Sequence, residues 1–200
     1  MTLKTPQVLL LDVMDTVVVD PFFADDFGEV IGCARSELLA QMTPDLWPQF
    51  ERGELSAEVY YSRFFRDGRG VDGPRLERWM ADRYRFVPGM ESLLQQIKEL
   101  GVPMYALSNY PVWWRLIEER LQLSRWMKWG FVSCEMGVRK PHADAYLIPA
   151  RRLEVDPSVC LFVDDRESNC EGARAVGMDA TRFESTEALR AALVARGLPL

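Results

Sequence analysis

The sequence predicts an α/β protein: a doubly wound parallel sheet with a helical module inserted after its first strand. Three observations carry this reading. Short apolar runs alternate with amphipathic helical patterns along most of the chain, the order that builds a parallel sheet through crossover helices. The runs are apolar at consecutive positions, as strands covered on both faces are. The alternation lapses between Pro21 and about Pro88, where apolar and aromatic residues recur at helical spacing without a convincing strand. The division expected is a core of residues 1–20 and 88–200 and an inserted module of residues 21–87.

Taken in order, Val8–Leu11 reads as the first strand, and it stops abruptly at Asp12. Inside the insertion, Ser56 precedes Val59, Tyr60, Arg63, Phe64 and Phe65, and Leu76, Trp79, Met80 and Arg83 continue the helical spacing. Asp67-Gly68-Arg69-Gly70 and Asp72-Gly73-Pro74 signal turns. Met90, Leu93, Leu94, Ile97 and Leu100 form an i, i+3, i+4, i+7 stripe, with Gly101 placed to cap its end. Val102–Leu107, Phe131–Ser133, Val159–Val163 and Met178–Thr181 read as the remaining strands. Between them lie helical patterns over Arg115–Leu121, Ala143–Arg152 and Ser168–Val176, the last ended by Gly177. Ser185 is placed to cap a final helix running to about Arg196 and closed by Gly197.

Bulk properties narrow the function. The 200 residues carry 24 basic and 30 acidic side chains, a net charge of −6. No basic block stands out, so neither nucleic acid nor an anionic membrane is the expected partner. No apolar stretch approaches the roughly 18–20 residues of a membrane helix, and the N-terminus lacks a signal-peptide pattern. With the first strand starting at Val8, no targeting extension is expected ahead of it, and the expected location is cytoplasmic. Cys33, Cys134, Cys160 and Cys170 are dispersed, without a C-x-x-C, and read as thiols of a reducing compartment. His142 is the sole histidine, which excludes a His-dominated metal site and argues against a serine triad. The oligomeric state is not legible.

The chemistry gathers at strand ends. Ligands of open α/β sheets bind past the carboxyl ends of the strands. Asp12 stands there, and an aspartate so placed can take a phosphoryl or acyl group onto its own oxygen. Ser108 ends the second strand with a hydroxyl, and Asn109 follows it. Arg139-Lys140-Pro141 comes after the third strand, and Asp164-Asp165 ends the fourth. Singly, each has a plainer reading: aspartates cap turns, serines cap helices, and most lysines are solvated. In combination they form a set. Two or three carboxylates on one rim repel unless a cation bridges them, and hard oxygen ligands select Mg²⁺. Mg²⁺, Lys140 and the Ser108 hydroxyl around one anion are what phosphoryl transfer requires.

With these residues in place, the sequence resembles the haloacid dehalogenase superfamily of hydrolases. Its four motifs are matched by Asp12-Val-Met-Asp-Thr16, Ser108, Lys140 and Asp164-Asp165, and the insertion resembles that family's helical cap. The resemblance implies that Asp12 is the nucleophile of a phosphoaspartate. It implies that Ser108, Asn109 and Lys140 bind phosphate, and that Asp12, Asp164, Asp165 and the Met14 carbonyl hold Mg²⁺. A narrower similarity to plant chloroplast flavin mononucleotide hydrolases runs through Met14-Asp15-Thr16, Asp20-Pro21-Phe22, Phe65-Arg-Asp-Gly-Arg69, Ser108-Asn-Tyr-Pro111 and Val163-Asp-Asp-Arg166. It implies a small phosphorylated metabolite as substrate, FMN being the leading candidate.

One departure stands out. The family's first motif is Asp-x-Asp, whose second aspartate protonates the leaving group and later activates water; here Met14 occupies that position. Losing a positioned acid–base costs ~10²–10⁴-fold in rate. If strand geometry persists, Asp15 points to the opposite face; if the backbone turns there, Asp15 can take over. Dehalogenases also lack that aspartate, so a Mg²⁺-independent haloacid dehalogenase-like hydrolase is one alternative. A catalytically weak module that binds a phosphorylated ligand is another. Aromatics crowd the insertion, among them Trp47, Phe50, Tyr60, Phe64 and Trp79; most are expected to be its core. Tyr110, Trp113 and Trp114 are candidates to line the cleft or to pack their own helix. Arg166 and Asn169 are candidates to orient neighbouring side chains or to cap a helix.

Overall fold

The computed structural model describes residues 5–200, so residues 1–4 of the expected segment 1–20 lie outside the described residues. Its sheet has five parallel strands: β1 (Val8–Leu11), β2 (Met104–Ser108), β3 (Lys128–Val132), β4 (Cys160–Asp164) and β5 (Asp179–Arg182). The spatial order is β3-β2-β1-β4-β5. The chain therefore winds outward from β1 through β2 and β3, then returns to the other side for β4 and β5. Such a reversal puts the switch point between β1 and β4, where open α/β sheets bind ligands.

The pleat sorts consecutive apolar residues onto two faces. Leu9, Leu11, Met104, Ala106, Leu161 and Val163 join one buried cluster, and Val8, Leu10, Leu107 and Phe162 join the other. The first face is covered by α6 (Met90–Glu99), α7 (Trp114–Leu121) and α11 (Thr186–Val194) through Leu93, Ile97, Ile117, Leu189 and Leu193. The second is covered by α9 (Asp144–Arg152) and α10 (Glu167–Ala175) through Ala145, Tyr146, Cys170 and Ala173. The sheet is doubly wound. Gly101, at φ 74°, ends α6 as its position foretold, and the Ser185 side chain accepts the Ala188 amide at the start of α11.

Strand ends differ from the sequence reading in instructive ways. β2 begins at Met104 instead of Val102; Pro103, which has no N–H to give, offers only its carbonyl to Leu9. β3 starts at Lys128, three residues before the expected Phe131, and Ser133 opens the short α8 (Ser133–Met136) instead of ending the strand. An edge strand needs an apolar neighbour on one side alone, so Lys128 and half-exposed Trp129 and Gly130 are tolerated and leave no apolar run to read.

Between β1 and α6 lie a 3-10 turn (Pro21–Phe23) and five helices: α1 (Phe27–Ile31), α2 (Arg35–Gln41), α3 (Leu46–Glu51), α4 (Ala57–Ser62) and α5 (Gly73–Arg83). No strand occurs there among the described residues; single bridges join Met42 to Phe65 and Val18 to Phe86. Ser56 caps α4 and Asp72 caps α5 with their side chains. Phe27, Phe50, Tyr60, Phe64, Leu76 and Met80 are buried in the same apolar cluster as Leu9 and Leu11. Helices this short hold little core of their own, and sharing the sheet's core stabilises them. The approach is close at Gly53, where a Cβ would overlap the Cys134 carbonyl and φ is 70°. Beside it, the Ser133 hydroxyl donates to the Glu51 carbonyl.

Candidate active site

The β1 ladder runs on to the Asp12 amide, which donates to the Val163 carbonyl at 2.8 Å. That bond fixes Asp12 beside Asp164, the last residue of β4. Between them sits the Lys140 ammonium, 2.7 Å from Asp12 Oδ1, 2.6 Å from Asp164 Oδ2 and 2.7 Å from the Leu107 carbonyl. All three of its hydrogens are thereby used, which makes a charge that is only 2% exposed tolerable. Burial by itself depresses the Lys140 ammonium; the Asp12 and Asp164 charges outweigh it and hold its pKa above the ordinary value. Asp12 is pushed upward, first by burial and then by Asp164, against the pull of Lys140. Asp165, half-buried, is raised by burial and by Asp164.

The supporting bonds lock this arrangement. Asn109 donates to the Lys140 carbonyl at 2.9 Å and accepts the Lys140 amide at 2.8 Å. Both ends of its side chain are thus committed to the lysine's backbone, just ahead of a cis Lys140-Pro141 bond. Asn169 donates to both oxygens of Asp164, the Arg166 amide donates to Oδ1, and the Tyr146 hydroxyl donates to the Asn169 carbonyl. Asn169 and the backbone of Arg166 therefore orient a carboxylate. Carboxylate oxygens of Asp12, Asp164 and Asp165 lie within 4.8 Å of one another. The Ser108 hydroxyl, 1% exposed, and the Thr16 hydroxyl, fully buried, have no hydrogen-bond partner among the described residues. A buried hydroxyl without a protein partner is available to bond an anion.

The segment after Asp12 leaves the strand at once. The Val13 carbonyl accepts the Val17 and Val18 amides, and Asp15 sits at φ 54°, exposed, with Oδ1 accepting the Asp20 amide at 2.9 Å. Strand alternation does not govern Asp15; its carboxylate ties a turn. Met14 packs its half-buried side chain against the apolar cluster.

A cavity of about 250 Å³ is lined by chain neighbours of the site residues, Arg139 next to Lys140, Arg166 next to Asp165 and Tyr110 next to Asn109. Its walls include Phe22, Trp47, Met80, Tyr110 and Trp113, with Asp20, Glu51, Arg139 and Arg166 as polar positions. Glu51, buried, accepts the Trp47 indole N–H at 2.8 Å and pairs with Arg139 at 2.8 Å; burial raises its pKa. Of the crowded aromatics in the insertion, Trp47 reaches this cavity, whereas Phe50 stacks on Tyr60 at 4.4 Å in the core. Tyr110 and Trp113 line the cavity; Trp114 packs on Trp129 at 5.1 Å instead. The sequence names Asp20 only within the Asp20-Pro21-Phe22 match, without a role, and does not single out Glu51. An aspartate before a proline reads as a turn cap, and one glutamate in a helix carries no signal.

Among the described residues no helix is long and apolar enough to cross a membrane. A sequence model of haloacid dehalogenase-like hydrolases matches residues 15–177. The chain is 38% identical to the chloroplastic flavin mononucleotide hydrolase 1 of Arabidopsis thaliana, over 91% of this chain and 74% of that one. It is 30% identical to a sesquiterpene phosphatase of Aspergillus oryzae, over 67% and 70%. In fold it resembles a haloacid dehalogenase family enzyme of Bacteroides thetaiotaomicron solved with magnesium and inorganic phosphate. That likeness has a TM-score of 0.71 at 18% identity and covers 89% of this chain and 94% of that one.

Proposed function

The chain belongs to the haloacid dehalogenase-like hydrolase family, and from that membership we propose a Mg²⁺-dependent phosphomonoester hydrolase that works through an aspartyl-phosphate on Asp12. One observation carries this reading. Lys140 bridges Asp12 and Asp164 at the switch point, and the buried Ser108 hydroxyl at the end of β2 has no hydrogen-bond partner among the described residues. Asp12 is the nucleophile, and Ser108 and Lys140 hold the phosphoryl oxygens. Asn109 acts here by fixing Lys140, since both ends of its side chain are already bonded to that residue. Asp12, Asp164 and Asp165, with the Met14 carbonyl, are the oxygen donors for the cation; hard carboxylate oxygens so close together suit Mg²⁺. The cation supplies the positive charge that lets an anionic nucleophile meet an anionic ester. The residues of the insertion, 21–87, serve as a cap, bringing Phe22, Trp47 and Met80 over the core's Tyr110 and Trp113.

The proposed substrate is a small phosphorylated metabolite with a flat organic body, FMN first. A well-placed aromatic contact adds ~0.5–1.5 kcal/mol beyond area burial, so two such contacts favour FMN over a small sugar phosphate by roughly one to two orders of magnitude. The proposed setting is the cytoplasm, which suits four free, separated cysteines.

Turnover of FMN, a small sugar phosphate, a nucleoside monophosphate and a haloacid, each with Mg²⁺ and with a chelator, tests the reading. Phosphate release is expected to stop on chelation and to return with added Mg²⁺, with kcat/KM highest for FMN. Chelator-resistant turnover, or turnover of the haloacid alone, contradicts the metal-assisted chemistry. FMN ranking below both other esters removes the flavin assignment and leaves the phosphatase standing.

A further inference from the structure

A hydrolase of the kind proposed needs a proton for the departing alkoxide and a base for the incoming water, and Met14 supplies neither. Asp15 sits in the turn at φ 54°, exposed, and is not among the residues that line the cavity. The cavity contains two carboxylates, Asp20 and Glu51. Glu51 gives Oε1 to the Trp47 indole and holds Oε2 in an ion pair 2.8 Å from the Arg139 guanidinium, a contact that is not a hydrogen bond; among the described residues Asp20 has no such ion-pair partner. Asp20 is different. Its Oδ1 accepts the Phe22 amide at 2.9 Å, and no hydrogen bond to its other oxygen occurs among the described residues. It shares the cavity wall with Tyr110, whose hydroxyl bonds that of Tyr84, and its charge raises both phenols. Its amide donates to Asp15, Arg166 lines the same cavity, and the charges of Asp15, Arg166 and Asp165 act on it in turn.

We propose that Asp20 is the acid–base of this site, doing from the cavity wall what Met14 cannot do from the end of β1. The inference rests on the phosphatase reading with Asp12 as nucleophile. In the first step an Asp12 oxygen bonds to phosphorus while the bond from phosphorus to the ester oxygen breaks. That oxygen takes the proton of the Asp20 carboxyl and leaves as an alcohol. In the second step water attacks the phosphorus of phospho-Asp12 and gives its proton to the Asp20 carboxylate. Inorganic phosphate departs, and both aspartates return to their starting forms. Burial, with Asp15 and Asp165 adding to it and the Phe22 amide and Arg166 opposing it, holds the Asp20 carboxyl at about 6. Such a group is available as acid and as base near neutrality.

The test compares a primary alkyl phosphate, glycerol 3-phosphate, with p-nitrophenyl phosphate, whose leaving anion needs no proton. Asp20→Asn keeps an acceptor for the Phe22 amide, so the turn is retained. It is expected to lower kcat/KM for the alkyl ester ~10²–10⁴-fold and for the aryl ester by at least roughly tenfold less. Asp15→Asn and Glu51→Gln are expected to lower both esters alike. Equal losses on both esters in Asp20→Asn, or no loss, overturn the assignment. So does a selective loss on the alkyl ester in either of the other variants. A phosphorylated Asp12 recovered from the quenched aryl reaction shows the phosphatase reading intact whichever way Asp20 behaves. Its absence in both wild type and Asp20→Asn defeats that reading itself, and with it the role of Asp20.

Discussion

Asp12→Asn is expected to abolish turnover, by roughly four to six orders of magnitude, the scale on which covalent enzymes lose rate with their nucleophile. The substitution removes the attacking oxygen and almost no volume. The fold should survive it for a specific reason. Lys140 keeps its bonds to Asp164 and the Leu107 carbonyl, so the buried ammonium is not stranded. The loss should be small beside the roughly 3–5 kcal/mol of a broken buried pair. Asp12 also carries a folded-state pKa raised by burial, so its ionised form is held against its preference at neutral pH, and an amide relieves that. Circular dichroism and a melting curve, beside the phosphate-release assay, check both halves. Near-normal turnover would mean that another group attacks phosphorus.

Lys140→Ala is the most disruptive change expected for stability. It leaves Asp12 and Asp164, both buried, facing each other without a cation. Stranding such charges costs about 3–5 kcal/mol. For a chain of this size that is a fall in Tm of roughly 6–20 °C. The deficit should depend on pH, and the sign follows from Asp12. A carboxyl whose folded pKa lies above its unfolded value contributes stability that is present at low pH and lost as pH rises through the folded pKa. Removing Lys140 takes away the charge that opposes the rise, so the variant's deficit should be large near pH ~8 and narrow toward about pH 5. Melting curves of wild type and variant at both values decide this. An equal deficit at both would mean that Lys140 stabilises by packing its stem and not by charge. Turnover should be lost at every pH, because the phosphoryl group and its nucleophile lose their shared cation.

The part of the site that lies on strands was legible because two independent signals coincide there. An apolar run that stops at a polar residue marks the carboxyl end of a buried strand, and Asp12, Ser108 and Asp164 are such stops. The order β2-β1-β4 then sets them side by side. Lys140 is on a loop, and its reach into the core depends on Asn109, 31 residues away; the motif announces the lysine but nothing local announces the clamp. Asp15 eluded the alternation rule because the chain adopts a left-handed turn at a residue that is not glycine. Periodicity also could not divide neighbours. Trp113 and Trp114 are adjacent at the start of α7, yet one lines the cavity and the other packs on Trp129. In α3, Trp47 and Phe50 occupy one stripe, and their fates separate where the helix passes from cavity wall to core. Asp20 was hidden by its own motif, since the Pro21 that follows makes it look like a cap. It is one, through Oδ1 alone.

The proposed chemistry stands or falls on whether Asp12 itself takes the phosphoryl group. A rapid quench of the Mg²⁺-loaded protein in the first turnover of p-nitrophenyl phosphate, followed by mass spectrometry of the peptide containing residue 12, answers this most directly. The peptide is expected to gain the mass of one phosphoryl group at Asp12, in step with the burst of nitrophenol, and the same quench of Asp12→Asn to show neither. A full burst of nitrophenol with an unmodified Asp12, or with the phosphoryl group on another side chain, would refute the assignment.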